Sequence, residues 1–582
     1  MGLTEDQETS VDKSSVELIK ESSNGLRGSI ADELHNGLSS FSPDNEQILK
    51  FHGVYAQDDR DLRKERVRAK LEVEHICMIR IALPGGVISA EQYLAIDSLA
   101  GEFSHAALRL TTRQGIQFHF VVKSDLEVLL RRINQTLLTT WGGCGDVVRN
   151  VTACPSSPSG LDDAGLSELA KKISLRYKAP SDAYLELWVD GEKIPNEIIG
   201  APGIDTSVYG EAMLPRKFKI GLARSSDNCT DVLSCDLGIV IDEDDPKRVR
   251  IYVGGGMGRS ASDESTFARL ADLLGEVDRK DIFGVADAII SIQRDNGDRR
   301  DRSHARFKYL VDRWGVETVR KEVERLSGIK VDPAIPDTFS QTTDHLGVTN
   351  DIDGHFDFGV KLPSGRIKDA PGLLYLTTIR RLVKLANPKL AVTAKGDLLL
   401  KGIPANLKPD FFKILRDLPE LDANSQPKVF RESFACVALP TCGLALAESE
   451  RYLPFFLAEL TERLEELDLA DQAIEVRMTG CPNGCARPYL AEIGIVGRSK
   501  RSYDIYLGAD RQGTRLGSLF AKDVDRQSLV DVLTPTLKQY RDNRFKGESF
   551  GDFVNRQPYE LIETLKPTPR VRIRTSTSEA AR

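Results

Sequence analysis

At 582 residues the chain is longer than one hydrophobic core supports, and roughly two to four domains are expected. Hydrophobic content of 41% is that of a globular protein, no apolar run reaches membrane-spanning length, and MGLTEDQETS carries no signal core, so a cytoplasmic protein without membrane association is expected. Nine cysteines are too few for a disulfide scaffold, and a net charge of -8 argues against nonspecific nucleic-acid binding, so an anion site must be built from local basic residues.

Residues 1–45 read as a polar N-terminal arm. His52, in FHG, reads as a structural histidine. Residues 46–140 form a first half-domain. In its LRLTTRQGIQFHF segment, strand alternation puts Arg109, Thr111, Arg113, Gln117 and His119 on one face and Leu108, Leu110, Ile116, Phe118 and Phe120 on the other. The first face has neither acid nor lysine, and arginine with glutamine suits carboxylate recognition. Residues 141–340 form a larger domain containing Arg149 and, in LPRKFKIG, Lys217 and Lys219 on one strand side; with Arg80 they make a basic cavity for a polyanion. The GGGMG run, Gly254 to Gly258, lacks dinucleotide spacing and reads as a turn. Residues 258–340 are charged and helical and join the two halves. A second half-domain covers 341–425, a second larger domain 426–565, and KPTPRVRIRTSTSEAAR, 566–582, reads as a disordered tail.

The halves repeat one another. LPGG from Leu83 returns as LPSG from Leu362, 279 residues on, and LRLTTRQGIQFHFV from Leu108 as LAVTAKGDLLLKGI from Leu390, 282 on. CTDVLSCDLGIV from Cys229 returns as CARPYLAEIGIV from Cys485, 256 on. With amphipathic stretches at 160–176 and 450–468, the expected fold is α+β: two pseudo-symmetric copies, each a ferredoxin-like half-domain plus a larger mixed domain.

Four cysteines stand out: Cys436 and Cys442 in CVALPTC, Cys481 and Cys485 in CPNGC. Two close pairs can supply the four thiolates of a cubane cluster. Zinc is the rival, giving a non-catalytic binding protein, but zinc sites favour tighter C-x2-C pairs. At the repeat offsets Cys436 faces Cys154 and Cys485 faces Cys229, whereas Cys442 faces Gly160 and Cys481 faces Ser225. One cluster per chain follows, held by the second copy. Cys77, Cys154, Cys229 and Cys235 read as core or near-core thiols.

FHGVYAQDDRD, LRLTTRQ, LPRKFK, CVALPTC and MTGCPNGCARP together resemble the sulfite and nitrite reductase family, from about residue 20 to residue 556. The resemblance implies a [4Fe-4S] cluster and siroheme, an iron isobacteriochlorin with eight carboxylates, joined through one cysteine thiolate. It implies that Cys436, Cys442, Cys481 and Cys485 ligate the cluster and that Cys485 is shared with the siroheme iron. Arg80, Arg149, Lys217 and Lys219 would grip the substrate, and Arg109, Arg113, Arg216, Gln117, His119 and Asn483 would contact siroheme. Sulfite reduction to sulfide is the expected reaction, with nitrite reduction the nearest alternative. Lys219 favours sulfite, because nitrite-reducing relatives tend to carry asparagine there. Val148 departs from the usual NRN pattern. Cys144 would be an unliganded thiol beside the haem; in some relatives a cysteine here is cross-linked to a tyrosine, for which Tyr55 would be the partner. No flavin or nicotinamide domain is visible, so electrons would come from a flavoprotein subunit or a ferredoxin.

Overall fold

The computed structural model describes residues 13–155, 163–179, 187–189, 192–194, 208–210, 212–352 and 354–558. The expected tail lies outside them, as do Gly160 and part of the 160–176 stretch, whose helix runs Asp163–Arg176. Strands in chain order are β1 (Val54–Asp58), β2 (His75–Ile81), β3 (Val87–Ile88), β4 (Ala107–Leu110) and β5 (Ile116–Val121), then β6 (Thr152–Ala153), β7 (Ile220–Arg224), β8 (Leu237–Ile241), β9 (Arg248–Val253) and β10 (Asp272–Asp278). The second copy repeats the series with β11 (Gly347–Ile352), β12 (His355–Val360), β13 (Arg366–Ala370), β14 (Lys389–Val392) and β15 (Leu398–Pro404). It closes with β16 (Phe434–Ala435), β17 (Val476–Thr479), β18 (Ile493–Ser499), β19 (Ser502–Leu507) and β20 (Ser518–Asp525).

The expected pseudo-symmetry is borne out for these twenty strands; among the described residues the pair Leu187–Val189 and Glu192–Ile194 in copy 1 and the strand Leu373–Leu374 in copy 2 have no counterpart. The two larger domains carry sheets ordered β10-β9-β8-β7-β6 and β20-β19-β18-β17-β16, with the same mixture of parallel and antiparallel pairs. Asp231 and Arg487, 256 residues apart, both take the left-handed conformation that opens a short 3-10 turn. The half-domains exchange a strand. β13 pairs with β4, placing Arg366 opposite Arg109, and β14 pairs with β3, placing Leu390 opposite Ile88. Sequence repetition alone did not reveal this exchange.

The LPGG and LPSG turns make the crossing possible. Gly86 and Gly365 both have positive φ, and a Cβ on either would lie within 2.4 Å of a carbonyl of the other copy, Val392 and Leu110 respectively. Leu108, Leu110, Ile116 and Phe118 then join Phe356, Leu390 and Leu400 in one shared core.

Three local expectations are revised. LRLTTRQGIQFHF is a hairpin rather than one strand, turning at Thr111–Gly115, with Arg109 opposite Gln117. Its alternation fails at Phe120, whose φ is +62°, and Val121 takes the core position instead. The joining segment supplies β10 as well as helices, completing a sheet. The polar arm is helical at Ser15–Ser22 and packs down: Lys20 donates to Glu17 and to the Leu214 carbonyl, and all but vanishes from solvent. His52 is satisfied by the Leu26 carbonyl, 2.8 Å from Nε2.

Candidate active site

The four cysteines sit on the two loops that follow β16 and β17. Because these strands are parallel neighbours, both loops leave the same sheet edge and meet there. The Gly480 amide donates to Cys436 Sγ at 3.3 Å, and its carbonyl accepts from Leu446 and Ala447. A Cβ on Gly480 would sit 2.5 Å from that of Ala438, so the loops close only around glycine. Arg60, from the FHGVYAQDDRD motif, clamps the first loop by donating to the carbonyls of Cys442 (2.9 Å) and Ala445 (2.6 Å). Asn483 Nδ2 approaches Cys481 Sγ at 3.5 Å.

Burial, together with the neighbouring Cys485, pushes the thiols of Cys436, Cys442 and Cys481 up, Cys481 to about 12. Such crowding is relieved by metal, which binds thiolates. These sulfurs are not among the groups of side chains drawn close enough together to hold a single metal ion. Around a single zinc, tetrahedral sulfurs at 2.3 Å would be roughly 3.8 Å apart. The quartet is spread for something larger than one ion, and Cys485 is its exposed member.

Copy 1 brings its cations to this edge. Thr112 Oγ1, in the hairpin turn, donates to the Cys485 carbonyl at 3.0 Å, and Arg487 reaches back to the Thr112 carbonyl. Arg80 lies within electrostatic reach of Cys485 and Cys442, donates to Cys144 Sγ at 3.0 Å, and stands over the Tyr55 ring at 5.7 Å. Gln117, with its amide turned, accepts from Arg80 at 2.7 Å. Arg149 is aimed by the Gly145 carbonyl at 2.6 Å. Lys217 and Lys219 flank buried Phe218, which anchors the extended segment by bridging to Val148.

Burial, with Arg216, Lys219, Arg306 and Arg149 around it, pushes Lys217 well below the usual lysine range. Burial and the guanidiniums of Arg306 and Arg113 lower Lys219 to about 7. Lys217 and Lys219 thus lie among several guanidiniums, with Asp236 a carboxylate acting on Lys219.

The expected siroheme contacts divide. Arg113 donates to the carbonyls of Asn150 (2.5 Å) and Ile220 and touches Cys235 Sγ, but its buried Nε has no partner. His119 is 3% exposed and neither ring nitrogen has a partner; burial, then Arg366, Arg109 and Arg80, holds it neutral. Arg216 lies 3.6 Å from Asp146, whose carboxyl, against the pull of burial, is kept low by Arg302 and Arg216. Arg109 differs from expectation: Glu450 of copy 2 pairs with it at 2.9 Å and with Arg366 at 2.6 Å, so this face does have an acidic partner, 341 residues away in sequence.

Sequence reasoning missed Arg306 and Lys308. Arg306 is bidentate to buried Asp236, which also accepts the Lys219 amide, so this pair sets the Lys219 backbone. Lys308 donates to the carbonyls of Gly256, Gly258 and Phe267. GGGMG is not a turn: it is irregular chain following β9, with Gly256 bridged to Arg269 and the Gly256 and Gly258 carbonyls tied to Lys308, packed against CPNGC through the Arg259 amide and the Pro482 carbonyl. The near-core cysteines also separate: Cys77 is plain core, Cys235 borders Arg113, and Cys154 and Cys229 lie with Asp227 and His345.

Four thiols at one sheet edge, with Arg80 of the other copy within electrostatic reach, on a duplicated α+β frame, are the arrangement of a redox protein. Residues 69–136 match the family profile described as the nitrite/sulfite reductase ferredoxin-like half domain, and 168–331 that of the nitrite and sulphite reductase 4Fe-4S domain. The chain is 41% identical to the sulfite reductase [NADPH] hemoprotein beta-component of Acidithiobacillus ferrooxidans, covering 96% of this chain and 97% of that one. It is 40% identical to the protein of that name from Anoxybacillus flavithermus, over 93% and 95%. The Mycobacterium tuberculosis NirA structure shares the fold, with a TM-score of 0.75 at 23% identity over 94% of this chain and 97% of that one. The chain belongs to the nitrite and sulfite reductase family. The 4Fe-4S profile falls on copy 1, which lacks two of the four thiol positions.

The residues present fit both cofactors: spread thiols suit a cluster, and the unpartnered nitrogens of His119 and Arg113 beside basic side chains suit a carboxylate-rich macrocycle. Among the described residues no helix is long and apolar enough to cross a membrane.

Proposed function

We propose that this chain reduces sulfite to sulfide, using siroheme coupled to a [4Fe-4S] cluster. The observation that carries the reading is Arg80 within electrostatic reach of Cys485, with Arg149, Lys217 and Lys219 close enough to act on one another, in a chain about 40% identical over more than 90% of its length to sulfite reductase hemoproteins. Cys436, Cys442, Cys481 and Cys485 would hold the cluster, with Cys485 shared with the siroheme iron. Arg113, Arg216, Gln117, His119 and Asn483 would hold the macrocycle, and Arg109, fixed by Glu450, would add positive charge. When bound, the two groups supply single electrons in sequence.

The chain's own residues supply charge and protons. Hydrogensulfite needs six electrons and six protons to give hydrogensulfide and three waters. Arg80 and Arg149, fixed by carbonyls and Cys144, are placed to polarise S–O bonds and stabilise departing oxygen. A lysine at about 7 gives up a proton readily at neutral pH, and Lys219 is the nearest to that condition. Its amide is anchored by Asp236, so the ammonium and not the backbone is available to the anion. NADPH is the electron source in the names of the relatives; here electrons would arrive through a flavoprotein subunit, and a ferredoxin is the other donor to test.

Anaerobic turnover with reduced methyl viologen tests the reaction without a protein donor. Sulfide should accumulate stoichiometrically with sulfite consumed. A higher kcat/KM for nitrite, with ammonium as product, would overturn the assignment. Adding NADPH with a flavoprotein reductase, or reduced ferredoxin, in separate arms identifies the donor.

A further inference from the structure

Copy 1 has its own cluster of metal-binding side chains at the place pseudo-symmetric to the quartet. Cys154 follows β6 as Cys436 follows β16, and Cys229 follows β7 as Cys485 follows β17. Around these two thiols the structure gathers Asp227 and His345, and one ligand atom from each of the four residues lies within 4.8 Å of every other. It is the only such group among the described residues. All four are buried, with Asp227 at 0% exposure.

The surroundings hold the ligands in place. Asp227 Oδ1 accepts from the amides of Cys229 (2.9 Å) and Thr343 (3.1 Å). Its other oxygen, Oδ2, is buried with no hydrogen-bond partner. Leaving a carboxylate oxygen so placed is costly unless something cationic meets it. His345 Nε2 stands 3.8 Å from Cys154 Sγ. The segment that carries His345 runs beside the one that carries Asp227, through Asn228 amide to Gln341 carbonyl and Gln341 amide to Ser226 carbonyl.

We infer that Cys154, Asp227, Cys229 and His345 form a second metal site, a closed tetrahedral site for one zinc-class divalent cation. Two sulfurs, one imidazole and one carboxylate are a ligand set that zinc accepts, and four protein ligands with no open position mark a structural rather than a catalytic site. The spacing suits one ion, unlike that of the quartet. The ion would join the larger domain of copy 1 to the entry of copy 2, because His345 lies two residues before β11. Duplication would thus have left two descendants of one metal-binding corner, a cluster in copy 2 and a single ion in copy 1.

The test is metal analysis of the cofactor-loaded protein, expressed with zinc available and dialysed against a chelator. About one zinc per chain should remain in addition to the iron, and zinc-edge X-ray absorption should show two sulfurs near 2.3 Å and two nitrogen or oxygen ligands near 2.0 Å. Asp227→Asn and Cys229→Ser should each lower zinc to below about a tenth per chain while iron content and the visible spectrum stay unchanged. Wild-type protein without zinc, a Cys154–Cys229 disulfide found by mass spectrometry, a four-sulfur zinc shell, or zinc retained in both variants would each overturn the site. If neither variant folds, the absorption spectrum of the wild-type protein decides alone.

Discussion

The two copies share a backbone but not a charge distribution. In copy 1 the hairpin presents Arg109, Arg113, Gln117 and His119; at the same positions, 282 residues on, copy 2 has Ala391, Lys395, Leu399 and Lys401. Lys395 is closed off by Glu475 at 3.2 Å and Glu432 at 3.5 Å, whereas Arg113 meets backbone carbonyls and keeps a nitrogen unpaired. In exchange copy 2 keeps the thiol quartet. A buried cation neutralised by carboxylates holds a fold together, and one left short of counter-charge waits for a ligand. The strand exchange sets these unlike halves against one another, and Arg80 and Arg60 of copy 1 lie within reach of copy 2's thiol loops.

The comparison breaks most severely at Cys485. Cys485→Ser should lower sulfite turnover by about a thousandfold or more, as loss of a group on which the whole site depends does, and change the visible spectrum. Cys77→Ala, in the core of β2, should leave the spectrum intact. Cys235→Ser is a poorer control, because Cys235 touches Arg113. Equal spectral damage from the Cys485 and Cys77 substitutions would mean that the quartet is wrongly assigned.

Copy 1's part is tested next by Lys219→Asn, which removes a cation and a proton donor. The kcat/KM for sulfite should fall by roughly a hundredfold or more, and that for nitrite, with fewer oxygens and less charge, much less. Matched losses would show that Lys219 does not choose between the anions.

A smaller effect follows from pH. The Lys219 ammonium, lowered to about 7 by burial and then by Arg306 and Arg113, is raised again when an anion binds, so binding takes up a proton. Affinity for sulfate, measured as inhibition, should be full below pH 7 and fall above it by up to about tenfold per unit until the bound-state value is passed. Affinity that is flat from pH 6 to 9 would contradict this linkage.

The smallest functional effect is expected at the matched cation of copy 2. Lys395→Met leaves Glu475 with Arg477 and Glu432 with Arg511 as their remaining partners and should cost about 1–3 kcal/mol in stability, read as a lower denaturant midpoint, with sulfate affinity unchanged. A drop in anion affinity would erase the distinction between the copies.

The sequence by itself determined the repeat, the quartet and the alternation that gives β4 and β5 one polar face, because spacing, turn residues and strand periodicity are local properties of the chain. The tertiary structure decided the rest. Glu450 reaches Arg109 across 341 residues, Arg60 clamps Cys442 across 382, and Arg306 fixes Lys219 through Asp236. The strand exchange and the gathering of Cys154, Asp227, Cys229 and His345 are of the same kind. No periodicity records such meetings, since charge pairing and ligand clustering depend on which loops a sheet edge brings together.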